Sequence, residues 1–251
     1  MNLLIDIGNT RTKWILEDKG RFLSEVNSVL NEVIESSGLI EMASKARHVL
    51  VANVAGKAME TRLLHMFEQS NIPVTFVQSS SVACGVVNRY ARPSRLGVDR
   101  WLSIIAAYEM HNASCLVVTV GTAVTIDALM VNHYEQKVEF MGGVILPGIH
   151  LMQHALNTNA AQLPKAQGAF DPFAKNTDDA IQTGCILAIL GAVELQWQRL
   201  FEVIKTPPRL FISGGDAMVI SGVLPANLAK YCMVVDNLVL HGLMRLEREM
   251  A

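Results

Sequence analysis

The sequence predicts an α/β protein made of two similar domains. The order strand, strand, strand, helix, strand, helix occurs roughly twice, and each first strand is followed by a Gly-Asn or Gly-Thr turn. Of the 251 residues 51% are apolar, which is enough to bury a sizeable core. We therefore predict one domain over residues 1–113 and another over residues 114–251. We expect a cleft between them, because clefts between α/β domains commonly bind ligands.

In the first half, short apolar runs separated by turn residues predict three antiparallel strands over Asn2–Ile7, Arg11–Leu16 and Arg21–Val26. Apolar residues at helical spacing then predict a helix over Ser28–Arg47, interrupted near Gly38. The remaining predicted elements of this half are a strand, a helix, a strand and a helix: His48–Val54, Lys57–Ser70, Val74–Val77 and Asp99–His111.

The second half begins in the same way. Apolar runs over Cys115–Val120 and Ala123–Val131 flank the turn Gly121–Thr122 and predict a second hairpin, followed by a strand over Val138–Leu146. Thr177, followed by two Asp residues, is the predicted N-cap of a long helix. The later predicted elements are two helices, a strand and an amphipathic closing helix: Gly148–Asn157, Asp178–Ile204, Arg209–Ser213 and Asn237–Glu249.

Composition excludes several classes of function. The formal net charge is −2 with no basic block, which argues against nucleic acid or an anionic membrane as a partner. The four cysteines stand far apart, so neither a disulfide framework nor a thiolate metal site is predicted. Asp6 interrupts the first apolar run, which excludes a signal peptide, and no apolar run reaches the ~18 residues of a membrane span. We expect a cytoplasmic protein.

The first candidate site is Asp6-Ile7-Gly8-Asn9-Thr10, directly after the first strand. A carboxylate at a strand end can hold Mg²⁺, usually through water, and Gly8 lets the backbone approach phosphate oxygens. Asn9, Thr10 and Thr12 offer neutral donors, and Lys13 offers a cation. The alternative is an ordinary hairpin turn, because the same residue types are common in turns.

The second candidate site runs from Thr119 to Thr125 and occupies the same place in the second half. One such turn is weak as a signal, but a symmetric pair of Gly turns can hold a phosphate chain from both sides. This pairing favours a phosphate-binding function over two unrelated hairpins.

The third candidate site is Gly97-Val98-Asp99-Arg100, at the start of a predicted helix. Asp99 can accept a proton from a substrate hydroxyl, and Arg100 can pair with a carboxylate or phosphate. The alternative is a helix-starting Asp beside an exposed Arg. Two further turns can pass beneath a nucleoside or shape a substrate loop, or are plain turns: Ser213–Ala217, and Gly142-Gly143 with Pro147-Gly148.

Other chemistries lack their motifs. The sequence contains no G-x-x-x-x-G-K-[ST] phosphate loop, no G-x-S-x-G elbow, no H-E-x-x-H pair and no H-R-D set. His150 and His154 are four residues apart on a predicted helix, but a third ligand is missing, so we interpret them as surface polar residues.

Together, the four motifs that begin at Asp6, Gly97, Gly121 and Gly142 (D-x-G-N-T, G-V-D-R, G-T-A-x-T and G-G-x-I-x-P-G) resemble the type III pantothenate kinase family. The resemblance extends to Asn176–Gly184 and to Gly214-Gly215-Asp216, so it spans nearly the whole chain. It implies two domains of the acetate and sugar kinase/Hsp70/actin (ribonuclease H-like) type with a cleft between them. It also implies a homodimer that uses ATP with Mg²⁺ to phosphorylate pantothenate.

The resemblance also implies roles for individual residues. Asp99 is then the general base, Thr122 contacts an ATP phosphate, and Asp6 lies near Mg²⁺, bound through water. The first phosphate-binding element consists of Asp6, Ile7, Gly8, Asn9, Thr10, Arg11, Thr12 and Lys13. The implied pantothenate site consists of Tyr90, Gly97, Val98, Asp99, Arg100 and Thr177.

One position departs from the family pattern. Many members carry Asp where this chain has Thr119, and that Asp binds a monovalent cation, K⁺ or NH₄⁺. A neutral hydroxyl offers no compensating charge, so we expect a weaker dependence on the cation. Two alternative functions stay open: a kinase of another small hydroxylated compound, and a non-catalytic ATP-binding accessory factor or regulator of gene expression.

Overall fold

The computed structural model describes residues 1–159 and 168–250. The strands are β1 (Asn2–Ile7), β2 (Arg11–Asp18), β3 (Arg21–Phe22), β4 (Asn27–Leu30), β5 (Val49–Asn53), β6 (Val74–Phe76), β7 (Val82–Ala83), β8 (Val86–Asn88), β9 (Cys115–Val120), β10 (Ala123–Asn132), β11 (Lys137–Pro147), β12 (Arg209–Ser213) and β13 (Cys232–Val234). The α-helices are α1 (Leu39–Ala43), α2 (Lys57–Phe67), α3 (Val98–His111), α4 (Ile149–Asn159), α5 (Thr177–Ile204), α6 (Ala217–Ser221), α7 (Ala226–Ala229) and α8 (Leu238–Met250). Short 3₁₀ helices cover Asn31–Ser36 and Pro93–Arg95.

The chain divides into two compact units. Unit 1 contains Met1–Asn112, the short piece Lys137–Phe140 and the C-terminal segment that begins at Asn237. Unit 2 contains Ala113–Gln136 and Met141–Asp236. The division after residue 112 lies beside the predicted joint at residue 113, whereas α8, assigned from sequence to the second half, belongs to unit 1.

Unit 1 is built on a sheet in the order β3-β2-β1-β5-β6, in which β4 also pairs with β2. The β1–β2 pair is antiparallel, and β5 and β6 run parallel to β1. One face of the sheet packs on α1 and α2 through residues such as Leu39 and Leu63. The other face packs on α3 and α8 through residues such as Leu102 and Leu240. Both faces are therefore buried, which explains why apolar residues stand at consecutive positions in β1 (Leu3–Ile5) and in β5 (Val49–Ala52).

Unit 2 repeats this plan. Its sheet has the order β13-β12-β9-β10-β11, with β9–β10 antiparallel and β12 and β13 parallel to β9. The two orders correspond, because β3-β2-β1-β5-β6 in unit 1 matches β11-β10-β9-β12-β13 in unit 2. The core on one face joins Val118 and Ile126 to Ile186 and Ile189 of α5. The predicted mixed α/β fold with two similar halves is confirmed.

The short strands β7 and β8, which the sequence analysis did not predict, form a hairpin at residues 82–88. β8 runs parallel to the start of β11, with Val87 opposite Glu139 and Asn88 opposite Phe140. Two- and three-residue strands leave too few positions for an alternating pattern, which is why this hairpin gave no signal in the sequence.

The predicted helix over Ser28–Arg47 is wrong for most of its length. Asn27–Leu30 is the strand β4, paired antiparallel with β2, and a 3₁₀ helix follows before the five-residue α1. Val33 has non-helical dihedrals (φ −116°, ψ 22°), and Gly38 has φ +75°, which ends any continuous helix. Pairing with β2 has overridden the local helical spacing.

The start of α5 also differs from the prediction. The N-cap is Asn176, whose side-chain oxygen accepts a hydrogen bond from the Asp179 backbone N–H at 2.9 Å. Thr177, the predicted N-cap, is the first helical residue instead. Asn and Thr are both favoured caps, so the sequence alone did not separate these neighbouring positions.

Among the described residues, only α5 is long and apolar enough, by length and composition, to cross a membrane. One such helix is weak support for a span, because core helices of soluble proteins pass the same test. Eight of its side chains, including Ile186 and Val193, are buried. A role for α5 in the core of unit 2 accounts for its apolar character.

Candidate active site

The first Gly turn joins β1 to β2 in unit 1. The Gly8 N–H donates to the Arg11 carbonyl at 3.0 Å and closes the turn. Asn9, Thr10 and Arg11 are exposed, whereas Ile7 is fully buried in the core. Residues 9–11 thus lie at the surface, where a phosphate can reach them.

A residue that the sequence analysis did not single out holds this turn in place. The Asn31 Nδ2 group donates to the Gly8 carbonyl at 2.8 Å, and the Asn31 backbone N–H donates to the Thr10 carbonyl at 3.0 Å. The Thr12 hydroxyl, predicted as a phosphate donor, is buried and donates to Asn31 Oδ1 at 2.8 Å. In the sequence, Asn31 is only one polar residue within the predicted helix Ser28–Arg47, and this pattern does not indicate a contact with the Gly8 turn.

Two carboxylates and a lysine of unit 1 interact electrostatically beside this turn. Burial raises the pKa of Asp6 to about 7, the Lys13 ammonium opposes that rise and the Asp99 carboxylate adds to it. Lys13 lies opposite Asp6 in the β1–β2 pair, and its Nζ donates to Asn237 Oδ1 at 3.0 Å. A desolvated carboxylate next to a second one is a site that a bound cation stabilises.

The chemistry of this donor set fits Mg²⁺ held indirectly. Asp6 supplies a carboxylate oxygen of the kind Mg²⁺ prefers, and Mg²⁺ usually keeps several waters and phosphate oxygens as its other ligands. Within residues 1–159 and 168–250, no group of three or more His, Cys, Asp or Glu side chains is arranged to hold a metal ion. Asp6 would therefore hold Mg²⁺ together with ligands that come from a nucleotide and water.

Asp99 lies in the first turn of α3. Its Oδ1 accepts a hydrogen bond from the Arg100 backbone N–H at 2.8 Å. A Cβ on Gly97 would lie 2.7 Å from that same oxygen, so the glycine makes room for the carboxylate to fold back over the helix start. Burial raises the pKa of Asp99, and the hydrogen bond and charge of Arg100 oppose this. The result is a half-buried carboxylate suited to accept a proton.

Arg100 is buried, so the alternative interpretation of this motif as a helix-starting Asp beside an exposed Arg is wrong for Arg100. It is only 5% exposed, and its guanidinium lies over the Tyr90 ring, with Cζ 5.7 Å from the ring centroid. Arg100 Nη1 also donates to the Tyr90 hydroxyl at 3.3 Å. Phe140 stacks on Tyr90, with ring centroids 6.0 Å apart. Val98, by contrast, points into the core.

The second Gly turn joins β9 to β10 in unit 2 and is packed by backbone. The Gly148 N–H donates to the Thr122 carbonyl at 2.9 Å, and a Cβ on Gly148 would lie 1.9 Å from the Gly121 oxygen. Gly214 has φ +102°, and a Cβ there would lie 2.2 Å from the Val120 oxygen. The motifs at Pro147-Gly148 and Gly214-Gly215 therefore meet the Gly121-Thr122 turn.

Thr119 stands at the strand end before this turn, as Asp6 does in unit 1. Across the sheet it lies opposite Thr125 of β10 and Ser213 of β12, so its cross-strand neighbours are hydroxyl residues. Asp127, the next residue on the same face of β10, is buried and already has an interaction partner. The residues opposite Thr119 thus supply neutral oxygens and no carboxylate, a poorer fit for a monovalent cation than an Asp would give.

Thr177 is exposed at the start of α5, beside a groove in unit 2. The groove has a volume of about 960 Å³ and runs between α4 and α5. Its lining is mainly apolar, with Leu151, Met152 and Leu156 from α4 and Ile181 from α5. Unit 1 thus brings together Asp6, Lys13 and Asp99, and separately Arg100 with Tyr90, while Thr119, Thr122 and Thr177 belong to unit 2.

The repeated strand order and the paired Gly turns define a class, the acetate and sugar kinase/Hsp70/actin fold. A 2-dehydro-3-deoxygalactonokinase-like protein from Sinorhizobium meliloti is similar, with a TM-score of 0.59 and 12% identity over 100% of this chain and 99% of that one. A Campylobacter jejuni protein assigned to the Baf family of transcriptional activators has a TM-score of 0.61 and 21% identity, covering 99% of this chain and 98% of that one. These likenesses show the fold.

Sequence comparison defines the family. The sequence model of type III pantothenate kinase matches residues 2–199. A type III pantothenate kinase from Aromatoleum aromaticum is 38% identical over 99% of this chain and 98% of its own length. The chain belongs to the type III pantothenate kinase family.

Proposed function

We propose that this enzyme transfers the γ-phosphate of ATP to pantothenate and forms 4′-phosphopantothenate, the first step of coenzyme A biosynthesis. Family membership supports the reaction class. The observation that carries the proposal is the Asp99 carboxylate, folded over Gly97 in the same unit as the Asp6–Lys13 turn and close enough to Asp6 to raise its pKa. A base and a phosphate turn are the two parts that phosphoryl transfer to an alcohol needs.

In this proposal the two Gly turns bind the phosphates of ATP. In unit 1 the proposed phosphate contacts are the exposed residues 9–11 and the Lys13 ammonium. Thr122, in unit 2, is proposed separately as a phosphate contact. Asp6 would hold Mg²⁺ through water, and the bound ion would neutralise negative charge on the phosphates of ATP. Positioning and charge stabilisation account for most of the rate enhancement in reactions of this class.

Asp99 acts as the general base. It accepts the proton of the primary hydroxyl of pantothenate while that oxygen forms a bond to the γ-phosphorus, and the bond to the β-phosphate oxygen breaks to release ADP. The pantothenate carboxylate pairs with Arg100, whose guanidinium is held by the Tyr90 ring and hydroxyl. Gly97 and Val98 complete the proposed substrate site of unit 1, and Thr177, in unit 2, is proposed separately as a pantothenate contact.

The remaining proposals concern assembly and location. We propose a homodimer, because Leu151, Leu156, Leu187 and Leu195 on α4 and α5 are each more than 40% exposed, and apolar surface of this kind marks contact sites. Light scattering should give twice the 27.5 kDa chain mass, and a monomer would contradict the proposal. A cytoplasmic location, without nucleic acid or membrane partners, is supported by four unpaired cysteines and the small net charge.

A non-catalytic regulator is the main alternative from another class. The name of the Campylobacter jejuni protein describes a transcriptional activator, and that description concerns that protein. A regulator needs no carboxylate at the Asp99 position, whereas here a glycine makes room for one. This geometry favours an enzyme.

The test is an ATP- and Mg²⁺-dependent phosphorylation assay on a panel of hydroxy acids that includes pantothenate. We expect pantothenate to be the best acceptor, and Asp99→Asn to lower kcat by roughly 10²–10⁴-fold while leaving the melting temperature nearly unchanged. A better acceptor in the panel would favour a different kinase. ATP binding without phosphorylation of any acceptor would favour the regulator.

A further inference from the structure

The side chain of Asn31 makes one hydrogen bond to each end of the first Gly turn. It donates to the Gly8 carbonyl at 2.8 Å and accepts from the buried Thr12 hydroxyl at 2.8 Å, while its backbone N–H donates to the Thr10 carbonyl at 3.0 Å. Two carbonyl oxygens that would repel a phosphate are therefore engaged by Asn31. Within the turn, the Gly8 N–H donates to the Arg11 carbonyl at 3.0 Å.

Asn31 is fixed in turn by an arginine from another element. Arg62 of α2 donates through Nη1 to the Asn31 carbonyl at 2.7 Å and through Nη2 to the Glu32 carbonyl at 3.0 Å. The Arg62 guanidinium also forms a salt bridge with the Glu35 carboxylate through both Nε and Nη2. Asn31 is part of the 3₁₀ helix Asn31–Ser36, and these contacts of Arg62 link that helix to α2.

We propose that Asn31 is a positioning residue for the ATP phosphates and that Arg62 supports it. Asn31 sets the conformation of residues 8–12, so that the exposed residues 9–11 are arranged before the nucleotide arrives. Preorganisation of this kind lowers the entropy lost on binding and acts on the nucleotide rather than on the acceptor. The inference rests on the proposed role of the Asp6–Lys13 turn in ATP binding.

The variants that test it are Asn31→Ala, which removes both side-chain bonds, and Asn31→Asp, which keeps the acceptor for Thr12 but loses the donor to Gly8. The matched control is Asn2→Ala, at the opposite end of β1, where Asn2 donates to Glu17 at 3.3 Å and to Glu247 at 2.6 Å. Asn2→Ala also removes two side-chain bonds in unit 1. Its expected loss of stability is comparable.

We expect Asn31→Ala to raise KM for MgATP by roughly 5–30-fold and to leave KM for pantothenate nearly unchanged. Calorimetric titration with a non-hydrolysable ATP analogue should show the same weakening. Asn31→Asp should give no rescue, because it sets a carboxylate oxygen against the Gly8 carbonyl. Asn2→Ala should lower the melting temperature without changing either KM.

Equal changes of both KM values, or a melting-temperature loss with unchanged KM for MgATP, would overturn the proposal and leave Asn31 a structural residue. If Asn31→Ala fails to fold, Arg62→Ala tests the proposal instead, because Arg62 is partly exposed and its loss should leave the fold intact. Arg62→Ala should also raise KM for MgATP, but by less than Asn31→Ala. An unchanged KM in Arg62→Ala would then reject the proposal. Failure of the proposed kinase function is visible separately, because the unmodified enzyme would show no ATP-dependent phosphorylation.

Discussion

The two Gly turns occupy equivalent places in the two units but are held by different means. The turn after β1 is held by the side chain of Asn31, which bonds to Gly8 and Thr12. The turn after β9 is held by close backbone approach, with Gly148 and Gly214 against Val120 and Gly121. The two strand ends also differ in charge, since unit 1 has the Asp6 carboxylate where unit 2 has a threonine.

This difference predicts different responses to mutation. Side chains can shift or be replaced by water, so mutations at the first turn should have moderate, graded effects on stability and activity. Backbone atoms in close contact cannot yield without moving a strand or helix, so the second turn should tolerate almost no change.

The largest effect is expected for Gly148→Ala, because the new Cβ would lie 1.9 Å from the Gly121 oxygen and 2.7 Å from the Thr122 oxygen. We expect a loss of about 3 kcal/mol or more in the free energy of unfolding, measured by urea denaturation, and little remaining kinase activity. The control is Gly191→Ala on α5, where a Cβ meets nothing within 4 Å and should be neutral or slightly stabilising. Wild-type stability and turnover in Gly148→Ala would show that the second turn is as adaptable as the first.

A smaller effect is expected for Gly97→Ala, because here the new Cβ meets a side chain, the Asp99 carboxylate, at 2.7 Å. The carboxylate can rotate away, so the fold should survive while the base is displaced. We expect kcat to fall by about 10²-fold, with KM for MgATP and the melting temperature nearly unchanged. If kcat stays near the wild-type value, the conformation of Asp99 over Gly97 is not the one used in catalysis.

Asp6→Asn tests the charge difference between the turns. The pKa of Asp6 is raised from 3.8 to about 7, so the folded state holds a proton that the unfolded state releases between these values. Wild-type stability should therefore fall as pH rises from about 4 to 7, and stay lowered above pH 7. Asp6→Asn removes this penalty and should be more stable than wild type at pH 8 by about 1–3 kcal/mol, but not at pH 3.

Thermal melts of both proteins across this pH range, without Mg²⁺, measure the effect. Thr119→Val in the second turn is the matched control and should show no such pH-dependent difference. An equal difference between Asp6→Asn and wild type at pH 3 and pH 8 would mean that Asp6 titrates normally. In activity assays, Asp6→Asn should require more Mg²⁺ than wild type.

The smallest effect concerns the cation expected at Thr119. With Thr125 and Ser213 opposite it, a monovalent cation finds neutral oxygens there and little compensating charge. We expect activity in Na⁺, K⁺, NH₄⁺ and a bulky organic cation, at constant ionic strength, to agree within a few-fold. Thr119→Asp should make activity depend more strongly on K⁺ or NH₄⁺. A collapse of wild-type activity without these two ions would contradict this reading.

Much of the fold was determined by the sequence itself. β1 has the predicted bounds, and both hairpins fall where apolar runs meet Gly turns, because buried strands and tight turns have strong local requirements. The repeated order of elements predicted the two similar halves. The motifs at Asp6, Gly97 and Gly121 were recognised because glycine, carboxylate and hydroxyl residues at these spacings are recognisable without knowledge of distant contacts.

The tertiary structure alone decided the features that depend on residues far apart in the chain. β4 forms because β2 offers a pairing edge, although its own residues favour a helix by spacing. Asn31 reaches Gly8 across 23 residues, and Gly148 meets Gly121 across 27, and no local pattern encodes either contact. Arg100 is buried because Tyr90 and Phe140 cover it. Local propensity is short in range, whereas pairing, packing and desolvation are set by whichever partner the folded chain brings near.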